Sequence, residues 1–147
     1  MYMPDLTPYS CDLPKPFPSV LAVGWLTKVK QFQTGKCPED VLEKLNGLIL
    51  RKPVNQMRGT HRCDICWQDE IRLNISRHTV LLGAAEVWVP DGSRRVTFAA
   101  PNLIVHYITQ HAYLPPEPFI EAIRAFVEES TWDGQLYYEK LSREAYG

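Results

Sequence analysis

Two residues separate Cys63 from Cys66, four separate His106 from His111, and no other feature constrains the fold of this chain as tightly. A Cys-x-x-Cys turn can place two sulfurs on one ion at ~2.3 Å, and a histidine pair with a gap of about three to five residues is the usual second half of a zinc finger. The expected order along the chain is knuckle, β-hairpin, then a helix bearing the histidines. These are the parts of a zinc-finger nucleus, spread over a longer segment. The expectation is one structural zinc ion held by Cys63, Cys66, His106 and His111, with His61 as a competing ligand able to replace one helix histidine.

The geometry sets a condition on that expectation. Residues five apart on an ideal α-helix point ~140° apart. His106 and His111 can therefore share an ion only where the helix end loosens or tightens, and Tyr113-Leu114-Pro115-Pro116 marks such an end.

Other chemistry fits less well. A redox role for Cys63 and Cys66 would want a βαβ context that the chain lacks. A catalytic zinc keeps an open position and a carboxylate base. Neither His-Glu-x-x-His nor the deaminase pattern is present, and four protein ligands would close the shell. Glu70 and Glu86 are the candidate bases, and both read as surface carboxylates. Cys37 directly precedes a helix whose dipole could lower its pKa, but it reads as a buried, inert thiol. Cys11 falls in no ligand-spacing motif. Phosphate-binding loops and nucleophile elbows are absent.

A chain of 147 residues with 45% hydrophobic and 22% charged residues can bury a real core. Its net charge of −1 argues against a non-specific nucleic-acid binder and against a polybasic membrane anchor. Basic residues do gather at Arg51, Lys52, Arg58 and Arg62, and at Arg94 and Arg95. No apolar run approaches the ~18–20 residues of a membrane span, and the first residues lack the pattern of a secretory signal. The expected location is the cytoplasm, where thiols stay reduced.

The chain divides into three stretches. Residues 1–19 hold five prolines interleaved with Tyr2, Leu6, Tyr9, Leu13 and Phe17; this Pro-rich arm should be extended and irregular, and packed on the domain. Residues 20–130 form the zinc-stabilised domain, and 131–147 a C-terminal helix or tail. Val20–Leu26 reads as a strand or buried turn. Pro38–Leu50 reads as a helix burying Val41, Leu42, Leu45, Leu48 and Ile49. Residues 71–75 and 79–82 have weak strand character. Ala84–Val89 and Arg95–Ala99 read as a hairpin around Pro90-Asp91-Gly92-Ser93, with Ala85, Val87 and Val89 opposite Glu86 and Trp88. Helices are expected over Pro101–His111 and over Glu117–Glu129, the latter burying Phe119, Ile120, Ile123, Phe126 and Val127. A last helix would use Leu136, Tyr137 and Leu141. Strands and helices do not alternate strictly, so the fold class is α+β, a β-hairpin packed on two to four helices.

Combined motifs run through most of the chain: Leu6-Thr7-Pro8-Tyr9, Val23-Gly24-Trp25-Leu26, Pro53-Val54-Asn55, Arg58-Gly59, His61-x-Cys63-x-x-Cys66, Gly83-x-x-Glu86-x-x-Val89, Ala99-Ala100-Pro101-x-Leu103-Ile104-x-His106-Tyr107-Ile108 and His111-x-Tyr113-x-Pro115-Pro116. Over residues 5–125 this resembles an uncharacterised family of small bacterial proteins. The resemblance implies a bacterial source and a shared architecture, and brings no activity with it. Ser10-Cys11-Asp12-Leu13-Pro14 departs from the family pattern, and the tail beyond Glu128 has no counterpart in it.

The leading expectation is an interaction module, an adaptor or immunity-type protein whose partner is another protein. A zinc hydrolase with an open metal site, and a nucleic-acid module using Arg51, Lys52, Arg58 and Arg62, are the competing readings.

Overall fold

The computed structural model describes residues 1–11 and 13–146; Asp12 in the N-terminal arm and Gly147 at the end of the tail lie outside the described residues. Proline holds backbone extended, and extended backbone is what a sheet accepts at its edge. Pro8–Tyr9 forms β1 and Phe17–Ala22 forms β2. Gly24, at φ +77°, then turns the chain against α2 (Ile104–His111), where a Cβ would stand 3.0 Å from the Ile104 side chain.

Helix α1 (Glu39–Arg51) starts one residue later than expected, because Pro38 keeps an extended ψ of 138° and sits just outside it. Its buried face carries Val41, Leu45, Leu48 and Ile49, with Leu42 half-buried. The weak strand signals become a separate antiparallel pair, β3 (Arg72–Ile75) and β4 (His78–Leu81). The strong hairpin is β5 (Glu86–Pro90) and β6 (Thr97–Pro101), closed by Asp91, whose N–H donates to the Val96 carbonyl at 2.9 Å.

These strands assemble in the order β1-β2-β6-β5. Strand β2 runs parallel to β6, pairing Val20 with Thr97 and Ala22 with Ala99, while the other neighbours are antiparallel. The β5–β6 hairpin is buried on both sides. Val87, Val89, Phe98 and Ala100 join one core with Leu45, Leu48, Ile104, Phe119 and Ile123. Trp88 and Ala99 join a second core with Tyr9, Phe17, Val20 and Trp25, covered by Tyr137, Tyr138 and Leu141. Helices α1, α2 and α3 (Glu117–Ala125) thus supply one side, and the arm and α4 (Gly134–Tyr146) the other.

Three expectations need correction. Pro101 ends β6 instead of opening α2, which begins at Ile104. Helix α3 stops at Ala125, because Phe126 turns extended and its ring packs edge-on against Trp132 at 6.2 Å, leaving Val127 exposed. In α4 the packed residues are Tyr137, Tyr138, Leu141 and Ala145, so Leu136 falls on the outer face and is exposed.

Candidate metal centre

The segment Cys63-Asp64-Ile65-Cys66-Trp67 closes on itself. The Trp67 N–H donates to the Cys63 carbonyl at 2.8 Å, and the Cys63 N–H to the Gln68 carbonyl at 2.9 Å. This tight turn holds both sulfurs on one side of the loop. The loop is stitched to the helix through a short chain of bonds. The His61 N–H donates to the Gly83 carbonyl at 2.9 Å, and the Gly83 N–H to Asn102 Oδ1 at 2.6 Å. Asn102 is buried just before α2, and its own N–H donates to the Ala85 carbonyl at 2.9 Å. Gly83 lies at φ +92°, and a Cβ there would run into the His61 carbonyl.

The helix end meets the condition set by the histidine spacing. The Ala112 N–H donates to the Tyr107 carbonyl, five residues back, and the Tyr113 N–H reaches the same oxygen at 3.1 Å. A turn closed by an i→i−5 bond is wider than an α-turn, so the last turn departs from the ideal α-helical spacing. Ala112, left-handed at φ 53° and ψ 28°, terminates the helix there.

Cys63, Cys66, His106 and His111 consequently meet, each offering one ligand atom, with all four atoms within 4.8 Å of one another. Cys63 Sγ lies 3.5 Å from His111 Nε2, and Cys66 Sγ lies 3.4 Å from His106 Nε2. With Zn–S at ~2.3 Å and Zn–N at ~2.0 Å, the sulfur–nitrogen edge of a tetrahedron is about 3.5 Å. The four residues are positioned to hold a metal ion.

Electrostatics are divided: the Cys63 thiol is raised on balance, and the His106 ring is lowered. Burial pushes the Cys63 thiol up, while the N–H groups of Cys66 and Ile65 aimed at its sulfur pull down. Burial, then the neighbouring His111, pulls His106 below the ordinary histidine value, so its ring is presented neutral, the form that coordinates. Cys63 and His106 are buried, His111 is half-buried and Cys66 is exposed.

His61, the competing ligand, is exposed and is not one of the four grouped residues; its backbone serves instead to anchor the knuckle. None of the four cysteines is in a disulfide. Cys37 is buried and its pKa is raised by that burial. The basic group expected beside the knuckle is divided. Arg51 pairs with Glu128 at 2.7 Å, and Lys52 turns to the Trp132 carbonyl at 3.3 Å and the Phe126 ring. Arg62 of that group stands over the knuckle residue Trp67.

Glu70 is exposed as expected, but Glu86 is not a surface carboxylate: it is 3% exposed. The Tyr9 hydroxyl donates to it at 2.8 Å, Trp88 Nε1 at 3.0 Å and Asn55 Nδ2 at 2.9 Å. Three neutral donors, two from distant segments and Trp88 from its own strand, make its burial tolerable. Only the strand alternation, which pairs Glu86 with Trp88 on one face, hinted at this placement. Glu86 also lines a cavity of about 60 Å³ with Trp25, Leu26, Asn55, Met57 and Leu103.

Fold and site together define a small α+β domain carrying a Cys2His2 group able to hold a metal ion. The chain belongs to the family described as Domain of unknown function (DUF7919), which matches residues 1–124. Comparison with curated proteins and with solved structures gives no match. No helix among the described residues is long and apolar enough to cross a membrane.

Proposed function

We propose that Cys63, Cys66, His106 and His111 bind one structural zinc ion, and that the domain is a bacterial cytoplasmic protein-interaction module, an adaptor or immunity-type binder of another protein. The observation that carries the metal reading is the pair of sulfur–nitrogen approaches, 3.5 and 3.4 Å, in a group of two thiols and two imidazoles. Mixed sulfur and nitrogen donors in a tetrahedron favour zinc among common divalent ions. Four protein ligands leave no position for an activated water, which favours a structural role. A cytoplasmic location fits thiols that must stay reduced to ligate.

An interaction role follows from what such a metal would do. It would pin an exposed loop rigidly to the core, and rigid exposed loops bind partners at low entropic cost. Metal content per chain, measured in the wild type and in Cys63→Ser, is the direct test: one equivalent of zinc is expected in the first and none in the second. Cobalt substitution should give a tetrahedral thiolate spectrum that added anions do not perturb. A displaceable water in that spectrum would overturn the structural assignment. Affinity purification from the native host, followed by reconstitution from two purified components, should return a stable complex. Failure to recover one would count against the interaction role.

A further inference from the structure

The sequence places a tryptophan directly after the second knuckle cysteine, and the fold treats it unlike the others. Trp25 and Trp88 are buried, whereas Trp67 is 55% exposed and belongs to neither core. Its backbone lies at φ +63°, a left-handed conformation that suits glycine and strains a bulky side chain. The knuckle turn holds it there through the Trp67 N–H to the Cys63 carbonyl. A strained backbone that presents a large apolar ring to solvent contributes little to the core.

Two cations complete the arrangement. Lys28 Nζ and Arg62 Cζ each stand 5.3 Å from the Trp67 ring centroid. Lys28 is brought there by Asp64, which accepts from the Thr27 hydroxyl at 2.7 Å and from the Lys28 N–H at 3.1 Å. Arg62 is in a loose ion pair, 3.6 Å from Asp69, with both side chains about half exposed. Cations gathered at an exposed indole, one of them in an exchangeable ion pair, match the Trp and Arg anchors that dominate protein interfaces.

We propose that Trp67, Lys28 and Arg62 form the docking platform for an acidic protein segment, in which a carboxylate pairs with the two cations and an adjacent apolar side chain covers the indole. The assignment deepens the interaction reading above and rests on it. Charge distinguishes the occupant. Asp64, Asp69 and Glu70 stand in the same loop segment, and a continuous phosphate backbone would meet them as well as the cations. A discrete carboxylate need only take the place of Asp69 on Arg62 and reach Lys28. Arg51 and Lys52, which a nucleic acid would need, are committed to the C-terminal segment.

The test uses the full zinc-loaded chain and three fluorescein-labelled probes: a short peptide alternating Glu and Phe, its Lys and Phe counterpart, and oligothymidylate. Anisotropy should saturate with the acidic peptide alone. Trp67→Ala, and separately Lys28→Gln with Arg62→Gln, should weaken that binding by about tenfold or more, with metal content and melting temperature unchanged. Equal binding of the acidic and basic peptides, undiminished binding by the Trp67 variant, or preferential binding of oligothymidylate would each overturn the platform. If the chain holds its zinc and the acidic peptide does not bind, the platform falls and the metal reading stands. If the chain holds no metal yet binds the peptide through Trp67, the metal reading falls and the platform stands.

Discussion

The rings of His106 and His111 stand 5.0 Å apart at 77° although five positions separate them on one helix. They meet in the last turn before the helix ends, where the Ala112 N–H skips to the Tyr107 carbonyl and Ala112 turns left-handed. Ala112→Gly should therefore stabilise the protein by about 1 kcal/mol, since glycine adopts that conformation freely. Ala112→Val should strain the turn and separate the two imidazoles. Metal affinity, read by competition with a chromophoric chelator, should fall at least about tenfold in the valine variant; unchanged affinity would show that the widened turn is unimportant.

The two cysteines should behave differently when replaced by serine. Both variants lose a ligand and should lose the metal. Cys63 is fully buried and Cys66 exposed. A hydroxyl at position 63 is fully buried and, being shorter than the thiol, reaches its N–H and imidazole neighbours less well, which costs about 1–3 kcal/mol on its own. With metal chelated throughout, Cys63→Ser should melt several degrees below Cys66→Ser. Chelation of the wild type should itself lower Tm by about 10 °C, which corresponds to a few kcal/mol for a domain of this size.

Gly83→Ala should be among the most damaging single-methyl changes in the chain. The added Cβ meets the His61 carbonyl, and φ +92° is itself unfavourable for alanine. A loss of about 2 kcal/mol or more is expected by urea denaturation. The knuckle must shift to make room, so metal affinity should fall too. Gly92→Ala, where a Cβ meets nothing within 4 Å, is the matched control and should be nearly silent.

Glu86 and Tyr9 should prove non-additive. Tyr9→Phe removes a donor from a buried carboxylate and should cost about 1–3 kcal/mol. Glu86→Gln also alters the pairing, and a double-mutant cycle by chemical denaturation should return a coupling of at least about 0.5 kcal/mol. A coupling of zero would mean the hydroxyl does not support the carboxylate.

Stability should fall steeply at alkaline pH. Burial raises the Tyr9 and Tyr113 phenols far above their ordinary value, and the neighbouring Glu86 and Asp5 carboxylates raise them further. Groups with a raised folded pKa keep their proton in the native state, while the unfolded chain releases it near about pH 10. Their stabilising contribution is thus full below about pH 10 and is lost as pH rises beyond it. Absorbance at the phenolate wavelength should show these two rings titrating only together with loss of near-ultraviolet circular dichroism. Smooth titration within a folded protein would contradict their burial.

Much of the local structure was legible in the residues themselves. The apolar stripe of α1, the Asp91–Gly92 turn and the alternation of Val87 and Val89 are short-range properties, and short-range sterics and periodicity decide them. The Cys63–Cys66 and His106–His111 spacings put these residues among five candidates, and His61 stayed a competitor until the fold grouped the other four. The parallel pairing of β2 with β6 could not be read, since it joins Val20 to Thr97 across about half of the chain. Nor could the fate of Glu86, which depends on donors from Tyr9, Asn55 and Trp88 arriving together. Spacing alone put the two histidines on different sides of a helix. The carbonyl of Tyr107, the left-handed Ala112 and the bonds from His61 through Gly83 to Asn102 are long-range or end-specific choices that only the packed chain could make, because each is stable only when its partner is already in place.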